Sequence, residues 1–377
     1  MADYLARVAT GPRMSKDLSH DEARDGIDLV LSGRVDPVQA GVFLIALRMK
    51  IETHEELAGI LEGLRAHTCV AEAETDELVD LADPYNGYAR HLPASPFLPA
   101  VLAAAGLPAL LHGRVAQGPK WGLTPHRVLA ACGADPTRLR ELDPDEAASR
   151  IADADLGWAY LDLGAFCPAL AGLDELRARI VKRPCLALLE KLLAPVRARR
   201  RTHLVAGYTH RGYDAILDAM CRQGAYASLL APRGVEGGVI PSVAAARTGA
   251  RSAPGDGAPE PIAEHDFDPT AAGVLASARA EPLPFSCDGL PDEATLAAWA
   301  DAAAAAGKAA LGGADTTTRR SLAFAAGAIL HHVGRAPTAA AGAAHAAAVI
   351  DSGAAREHFE RGLRPPPKPS PRSRGKG

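Results

Sequence analysis

Residues 79–113 read VDLADPYNGYARHLPASPFLPAVLAAAGLPALLHG, and the order of residue types along this stretch decides the fold class. A short apolar run from Val79 reaches the turn formers Asp83, Pro84, Asn86 and Gly87. A helix-compatible apolar segment follows, then Gly106, then a second apolar run from Leu107 to Leu111 that closes on His112 and Gly113. That order predicts strand, loop, helix, strand. A loop at the carboxyl end of a strand, just ahead of a helix, presents unpaired backbone N–H groups and the positive end of the helix dipole. α/β proteins hold phosphates at such loops, so this one is the first candidate site. Its composition is unusual for the task. Close approach of backbone to phosphate oxygens normally takes several glycines, whereas Gly87 stands nearly alone among Tyr85, Asn86 and Tyr88.

Upstream of this stretch, residues 15–67 read as helical. Ser19 followed by Glu22 fits a capping box, and Ile27, Leu29, Val30 and Leu31 supply apolar positions before Gly33 stops the helix. Asp36-Pro37 opens the next helix, in which Val38, Val42, Phe43, Ala46 and Leu47 form a broad apolar stripe. Glu52 to Leu64 supplies a third. The reading is an N-terminal helical subdomain over residues 1–75, completed by helices around 173–196. An α/β domain then covers 76–363, and 364–377 forms a disordered, basic, Pro-rich tail.

Downstream, 135–150 suggests a capped surface helix, and Ala159 to Leu163 a short strand. Leu204 to Tyr208 and Ala225 to Leu230 flank a helix in a βαβ-like unit. Ala244 to Pro261, rich in Gly, Ala and Pro, reads as a long loop. Helices resume at Asp292, with Leu322, Phe324, Ile329 and Leu330 marking a buried face in Ala-rich sequence.

At 377 residues and 48% hydrophobic, the chain is long enough to bury a substantial core, and with 5% aromatics its helices are expected to pack through small side chains. No apolar run reaches membrane-spanning length and the N-terminus lacks a signal-peptide core, so a soluble cytoplasmic protein without a membrane partner is expected. The six cysteines lack metal-ligand or disulfide-framework spacing and read as buried thiols. The formal charge is −4. Setting aside the five basic residues of the tail leaves the body at −9, so any affinity for nucleic acid must come from the tail or from a local patch. Arg197, Arg199, Arg200 and Arg201 form the densest internal basic run, readable either as such a patch or as a solvated face.

Several segments carry a resemblance. LSHDEARDGIDLVLSGRVDPVQAGVFLIALRMKIETHEELAGILEGLRAHT, AAAGLPALLHG, GAFCPALAGLDELRARIVKRP and GYTHRGYDAILDAMCRQGAYASLL are similar in turn to segments of the anthranilate phosphoribosyltransferases. These belong to the type 3 glycosyltransferases, and the resemblance runs from about residue 15 to about 360. PYNGYAR, LDLGAFCP and LEKLLAP resemble most a divergent, YbiB-type branch that lacks the transferase motif and is associated with nucleic-acid binding. The resemblance implies a phosphoribosyltransferase or nucleoside phosphorylase type of fold, a small helical domain beside a largely parallel sheet wrapped by helices. It also implies a homodimer formed through the helical domain.

The family's pyrophosphate loop, GTGGD, falls on Asp83, Pro84, Tyr85, Asn86 and Gly87, where Pro84 lacks an N–H and Gly87 lacks the carboxylate. Its NxST falls on Pro93, Ala94, Ser95 and Pro96. His112 and Gly113 match HGN, with Arg114 in place of the Asn, and Lys120 stands at the following basic position. Arg177 matches the arginine that holds the acceptor's carboxylate, while Cys167 replaces a nearby His. Val239 and Ile240 occupy the positions of the magnesium-binding Asp-Glu pair, so magnesium is expected only if the family reaction is retained, and no other cofactor or metal is implied.

Two readings follow. In one, a divergent glycosyl- or phosphoribosyltransferase binds a phosphate-bearing small molecule in the interdomain cleft through Tyr85, Asn86, Gly87, Ser95, His112, Gly113, Arg114, Lys120 and Arg177, with its catalytic residues unassigned. In the other, a non-catalytic homodimer binds single-stranded nucleic acid through Arg197, Arg199, Arg200, Arg201 and the tail. Tyr85 and Tyr88 could equally pack the loop, and His112 could be a satisfied core histidine.

Overall fold

The computed structural model describes residues 1–11, 13–255 and 259–364; the expected tail lies, beyond Arg364, outside the described residues. Four helices open the chain: α1 (Ala2–Val8), α2 (His20–Leu31), α3 (Pro37–Lys50) and α4 (His54–Ala66). The expected caps are present. Ser19 and Glu22 form a reciprocal capping box, Asp36 accepts from the Val38 N–H, and Thr53 with Glu56 makes a second box that starts α4 slightly later than the sequence suggested.

Glu56 has a further role. Its buried carboxylate accepts from Leu18 N at 2.9 Å and from Lys50 Nζ at 2.7 Å, tying the entry of α2 to the end of α3. Helices α2 and α4 cross closely at Gly59, where a Cβ would lie 2.1 Å from the His20 carbonyl oxygen. The helix Asp174–Ile180 returns to this bundle, placing Leu176 and Ile180 over Gly41 of α3. The rest of 173–196 is less regular than its pattern suggested, with only the short helix Leu186–Leu189 and a 3-10 turn at Glu190–Leu192.

Among the described residues, nine strands follow in chain order: β1 (Ala71–Ala73), β2 (Glu77–Ala82), β3 (Ala109–Gly113), β4 (Trp158–Asp162), β5 (Val196–Ala198), β6 (Arg201–Ala206), β7 (Ser228–Ala231), β8 (Arg247–Ser252) and β9 (Ala263–Phe267). β1 and β5 pair as a small parallel ribbon. The other seven form one sheet in the order β4-β3-β2-β6-β7-β8-β9, parallel from β4 to β7 and antiparallel for the last two. Every residue of β3, β4 and β7 is buried, as expected for a parallel sheet covered by helices on both faces. The architecture is therefore a helical N-terminal domain joined to a largely parallel α/β sheet.

The strand β8 corrects the expectation of a loop over 244–261. Its small residues are poor strand formers by themselves, but the exposed edge of β7 recruits them. At Gly249 a Cβ would lie 2.6 Å from the Ala231 carbonyl oxygen and 2.7 Å from the Phe267 ring, so the missing side chain is what permits the approach. Helices Glu293–Leu311, Thr317–His332, Ala339–Asp351 and Ala354–Leu363 then cover one face, with Leu322, Phe324, Ile329 and Leu330 buried as the pattern suggested. The carboxyl ends of β2, β3, β4, β6 and β7 open onto one edge of the sheet, and the segments leaving them carry the candidate site.

Candidate functional site

The loop after β2 is packed shut by its own side chains. Tyr85 and Tyr88 are each 2% exposed. The Tyr85 hydroxyl sits 2.5 Å from His112 Nδ1 and donates to the Glu190 carbonyl oxygen at 3.2 Å. On the other side of the imidazole, His112 Nε2 lies 2.7 Å from Asp80 Oδ1, whose second oxygen accepts from the Tyr226 hydroxyl at 2.8 Å. His112 is thus a core histidine held between Tyr85 and Asp80, although its Nε2 and Asp80 Oδ1 are close without hydrogen-bond geometry, and Gly113 ends the strand beside it.

Tyr88 faces the opposite way. Its hydroxyl donates to Asp83 Oδ1 at 2.8 Å, Ser95 Oγ donates to Asp83 Oδ2 at 2.6 Å, and the Val239 N–H donates at 3.1 Å. Burial raises the Asp83 pKa against these three donors. Ser95, the single hydroxyl left at the family's polar position, is therefore spent on a neighbouring carboxylate. Asn86 is buried at the turn, its carbonyl oxygen accepting from the Gly122 N–H at 2.9 Å. Gly87 takes a positive φ of 72°, and a Cβ there would lie 2.5 Å from the Gly122 carbonyl oxygen.

The cations of the cleft floor are engaged as well. Arg114 forks between Asp162 at 2.7 Å and Asp174 at 2.6 Å. Arg177, 2% exposed, pairs with Glu190 at 2.7 Å, and the other Glu190 oxygen accepts from Gln117 Nε2 at 2.9 Å. Lys120 donates to the Gly87 carbonyl oxygen at 2.6 Å and to Glu236 at 2.5 Å. Burial pulls its pKa down, helped by repulsion from Arg183 and Arg90 and opposed by Glu236. Lys191, also buried, donates to the Gly207 carbonyl oxygen at 3.0 Å and is pulled by burial to about 8.

Glu236 is the acceptor on which the loop converges. Its carboxylate takes the N–H groups of Ala89 at 3.0 Å, Arg90 at 2.9 Å and His91 at 3.0 Å, besides Lys120. Burial works against the charge, but the His91 and Lys120 contacts and the Ala89 N–H outweigh it and hold the carboxyl at about 2. Glu236 itself sits at φ 52°, ψ 21°, a left-handed conformation that costs a non-glycine residue roughly 1–2 kcal/mol. Val239 and Ile240, at 1% and 3% exposure, have no oxygen to offer magnesium, and Asp83 and Glu236 beside them are already saturated with donors. These residues do not fit that ion.

The structure thus joins Arg177 and Tyr85 at Glu190, with His112 beyond Tyr85, and joins Gly87 to Glu236 through Lys120, while Arg114 pairs with Asp162 and Asp174. The acidic partners were missed in the sequence. A signal was available, since PYNGYAR, LDLGAFCP and LEKLLAP supply Tyr85 and Tyr88, Asp162, and Glu190 with Lys191.

Four arginines nearer the surface, beside Lys120 and one another and taken as the mouth of the candidate site, are differently placed. Arg90, Arg183 and Arg279 are exposed and Arg247 is half-buried, and none has a carboxylate within 4.0 Å among the described residues. Arg247 and Arg90 act electrostatically on Arg279, and Arg183 and Arg90 on Lys120, so the four share one region. In the basic run, by contrast, Arg199 lies 3.1 Å from Glu74, Arg200 3.6 Å from Asp76 and Arg201 3.8 Å from Glu77, while Arg197 is half-buried in β5.

Residues 2–68 match the model of the glycosyl transferase family, helical bundle domain. The N-terminal bundle is similar to that domain. Beyond it, the chain is 27% identical over 220 residues to an anthranilate phosphoribosyltransferase of Methanopyrus kandleri, covering 58% of this chain and 61% of that protein. It is 29% identical over 192 residues to the uncharacterized protein YbiB of Escherichia coli, covering 51% and 58%. In these alignments the chain spans little more than half the length of the curated relatives it matches. The fold likeness is longer. The anthranilate phosphoribosyltransferase of Thermus thermophilus superposes with a TM-score of 0.70 at 22% identity, covering 96% of this chain and 98% of that one. The chain therefore has the anthranilate phosphoribosyltransferase fold and resembles that family, YbiB included, in sequence. No described helix is long and apolar enough to cross a membrane.

Proposed function

We propose that this protein is a non-catalytic representative of the transferase fold that binds single-stranded nucleic acid along the mouth of its cleft, as a homodimer. One observation carries the reading. The acidic side chains of the floor engage Arg114, Lys120 and Arg177, whereas Arg90, Arg183, Arg247 and Arg279 at the mouth have no carboxylate partner among the described residues. A sugar pyrophosphate needs donors deep in the cleft, where charge develops at the reacting carbon. An extended phosphate chain needs cations spaced along a surface and tolerates a closed floor. With the floor's donors engaged and Val239 and Ile240 at the metal positions, synthesis of phosphoribosyl anthranilate lacks its machinery. The mouth is proposed as the polymer contact in preference to the basic run, in which Arg199, Arg200 and Arg201 face Glu74, Asp76 and Glu77.

A second copy is proposed to cover the apolar groove of about 660 Å³ on the helical domain, lined by Val38, Val42, Ile45, Met49, Leu176 and Ile180. Val38 and Met49 are 72% and 73% exposed there, more than a soluble surface usually leaves uncovered in one patch.

Fluorescence anisotropy with labelled oligo-dT tests the polymer reading. The double variant Arg90→Glu/Arg279→Glu should lose at least about tenfold in affinity and flatten the salt dependence by about 0.7 per lost phosphate contact. Removing residues 365–377 should leave the mouth's contribution in place. Unchanged affinity in the double variant refutes the mouth as the binding surface.

A further inference from the structure

The six cysteines read as buried thiols in the sequence, and the structure departs from that at Cys69, which is exposed, and at Cys287, which is half-buried. Cys69 lies where the chain leaves the helical bundle, between α4 and β1. Cys167 lies where the chain turns back toward the bundle, between the short helices Leu163–Phe166 and Pro168–Ala171 that precede Asp174–Ile180. These two crossings are stitched to each other. The Cys69 N–H donates to the Phe166 carbonyl oxygen at 2.7 Å. Covalent geometry on either side of that bond keeps the Cα atoms of Cys69 and Cys167 within about 7 Å of one another, and a disulfide bridges Cα atoms roughly 4.4–6.8 Å apart. We infer that Cys69 and Cys167 are a modification site, a peroxide-sensitive thiol pair that closes to a reversible disulfide and fastens the helical bundle to the α/β domain.

The two thiols divide the chemistry. Cys69 is the one an oxidant reaches, because Cys167 is fully buried. The Cys69 thiolate attacks one oxygen of hydrogen peroxide, the O–O bond breaks, and the departing hydroxide takes up the proton that the thiol lost, leaving water and a sulfenic acid. The Cys167 sulfur then attacks the Cys69 sulfur. The S–O bond breaks and the hydroxyl leaves with the Cys167 proton as a second water. Two thiols give up two electrons to the peroxide, so no other reactant is needed. Burial pushes the Cys167 thiol up, while the Thr68 hydroxyl and the Leu170 N–H pull it down, and the Cys69 sulfur is among the groups that act on it, which puts both sulfurs in one neighbourhood. Reversal is open to any small thiol, since the Cys69 side of the bond faces solvent. A bridge here closes a loop of roughly 100 residues and so restricts the unfolded chain strongly. The site is independent of what the cleft binds.

The experiment treats the reduced full chain with hydrogen peroxide and maps its peptides by mass spectrometry without reductant, alongside a count of free thiols. A Cys69–Cys167 peptide should appear with the loss of two thiols, should vanish with dithiothreitol, and should raise the melting temperature by about 5 °C. Cys69→Ser, at an exposed position where the fold is not at risk, should abolish the loss of both thiols. Cys167→Ser should leave Cys69 as a sulfenic acid that dimedone captures, with thermal unfolding as the check on its fold. The inference is overturned if the folded protein yields no linked peptide, or if Cys69 links to Cys287 or to a second chain instead. A linked peptide whose formation lowers the melting temperature also overturns it, since the bond would then strain the fold rather than fasten it.

Discussion

Replacing Arg177 by Met separates a ligand-holding arginine from a structural one. Arg177 and Glu190 are 2% and 1% exposed, their contact is 2.7 Å, and the only other side-chain donor to Glu190 among the described residues is Gln117. Removing the guanidinium strands a carboxylate in the core with one neutral partner, and breaking one side of a buried ion pair costs about 3–5 kcal/mol. That is a large share of the roughly 5–15 kcal/mol a native protein has in total. Urea unfolding followed by tryptophan fluorescence should show the loss. The double variant Arg177→Met/Glu190→Gln should recover most of it, because the uncompensated charge is gone and Gln117 keeps a carbonyl to bond. A double-mutant cycle should then give a coupling of about 2–3 kcal/mol. If Arg177→Met unfolds like the parent protein, Arg177 is not committed to Glu190, and the residue is free to hold a ligand's carboxylate.

Gly238→Ala should be severely destabilising, since its Cβ would lie 1.8 Å from the Tyr88 hydroxyl and 2.8 Å from Asp83 Oδ1; a melting temperature within about 1 °C of the parent would show that the loop is loosely packed. Acid should weaken the fold before the carboxylates titrate. Burial lowers His126 and His203 to about 4 and His332 to about 3, so each stays neutral in the folded state while its unfolded counterpart takes a proton. Their contribution is complete above about pH 6.5 and is lost as pH falls toward 4, up to about 3 kcal/mol per group, though His203 and His332 share the Ser228 hydroxyl and will not add. A urea midpoint that stays flat from pH 7 to 5 would contradict this. Val42→Asp/Met49→Asp, placed in the exposed apolar groove, should give a monomer by light scattering without loss of secondary structure; a dimer that persists would put the interface elsewhere.

The helical bundle was legible because capping residues act locally: Ser19, Glu22 and Asp36 do in the structure what their types and spacing imply. The βαβ order was legible because buried parallel strands are continuous apolar runs. β8 was not, because Gly249 and Ala250 carry little strand preference and are held by pairing with β7 and β9. At the candidate site the positions that failed the transferase pattern, such as Pro84 and Val239, could be read directly. What filled the site could not. The partners Glu190, Glu236, Asp162 and Asp174 come from segments far apart in sequence, and although the motifs marked Asp162 and Glu190, they carried no sign of which distant cation each would meet.

In the proposed reading the protein's own side chains close the floor of the site against the family's sugar pyrophosphate. Calorimetric titration of the unaltered protein with phosphoribosyl pyrophosphate, with and without magnesium, tests it most directly. With Val239 and Ile240 at the metal positions, and Lys120 and the loop N–H groups held by Glu236, any binding should be weak and the two titrations should coincide. Tight binding that depends on magnesium would contradict the account.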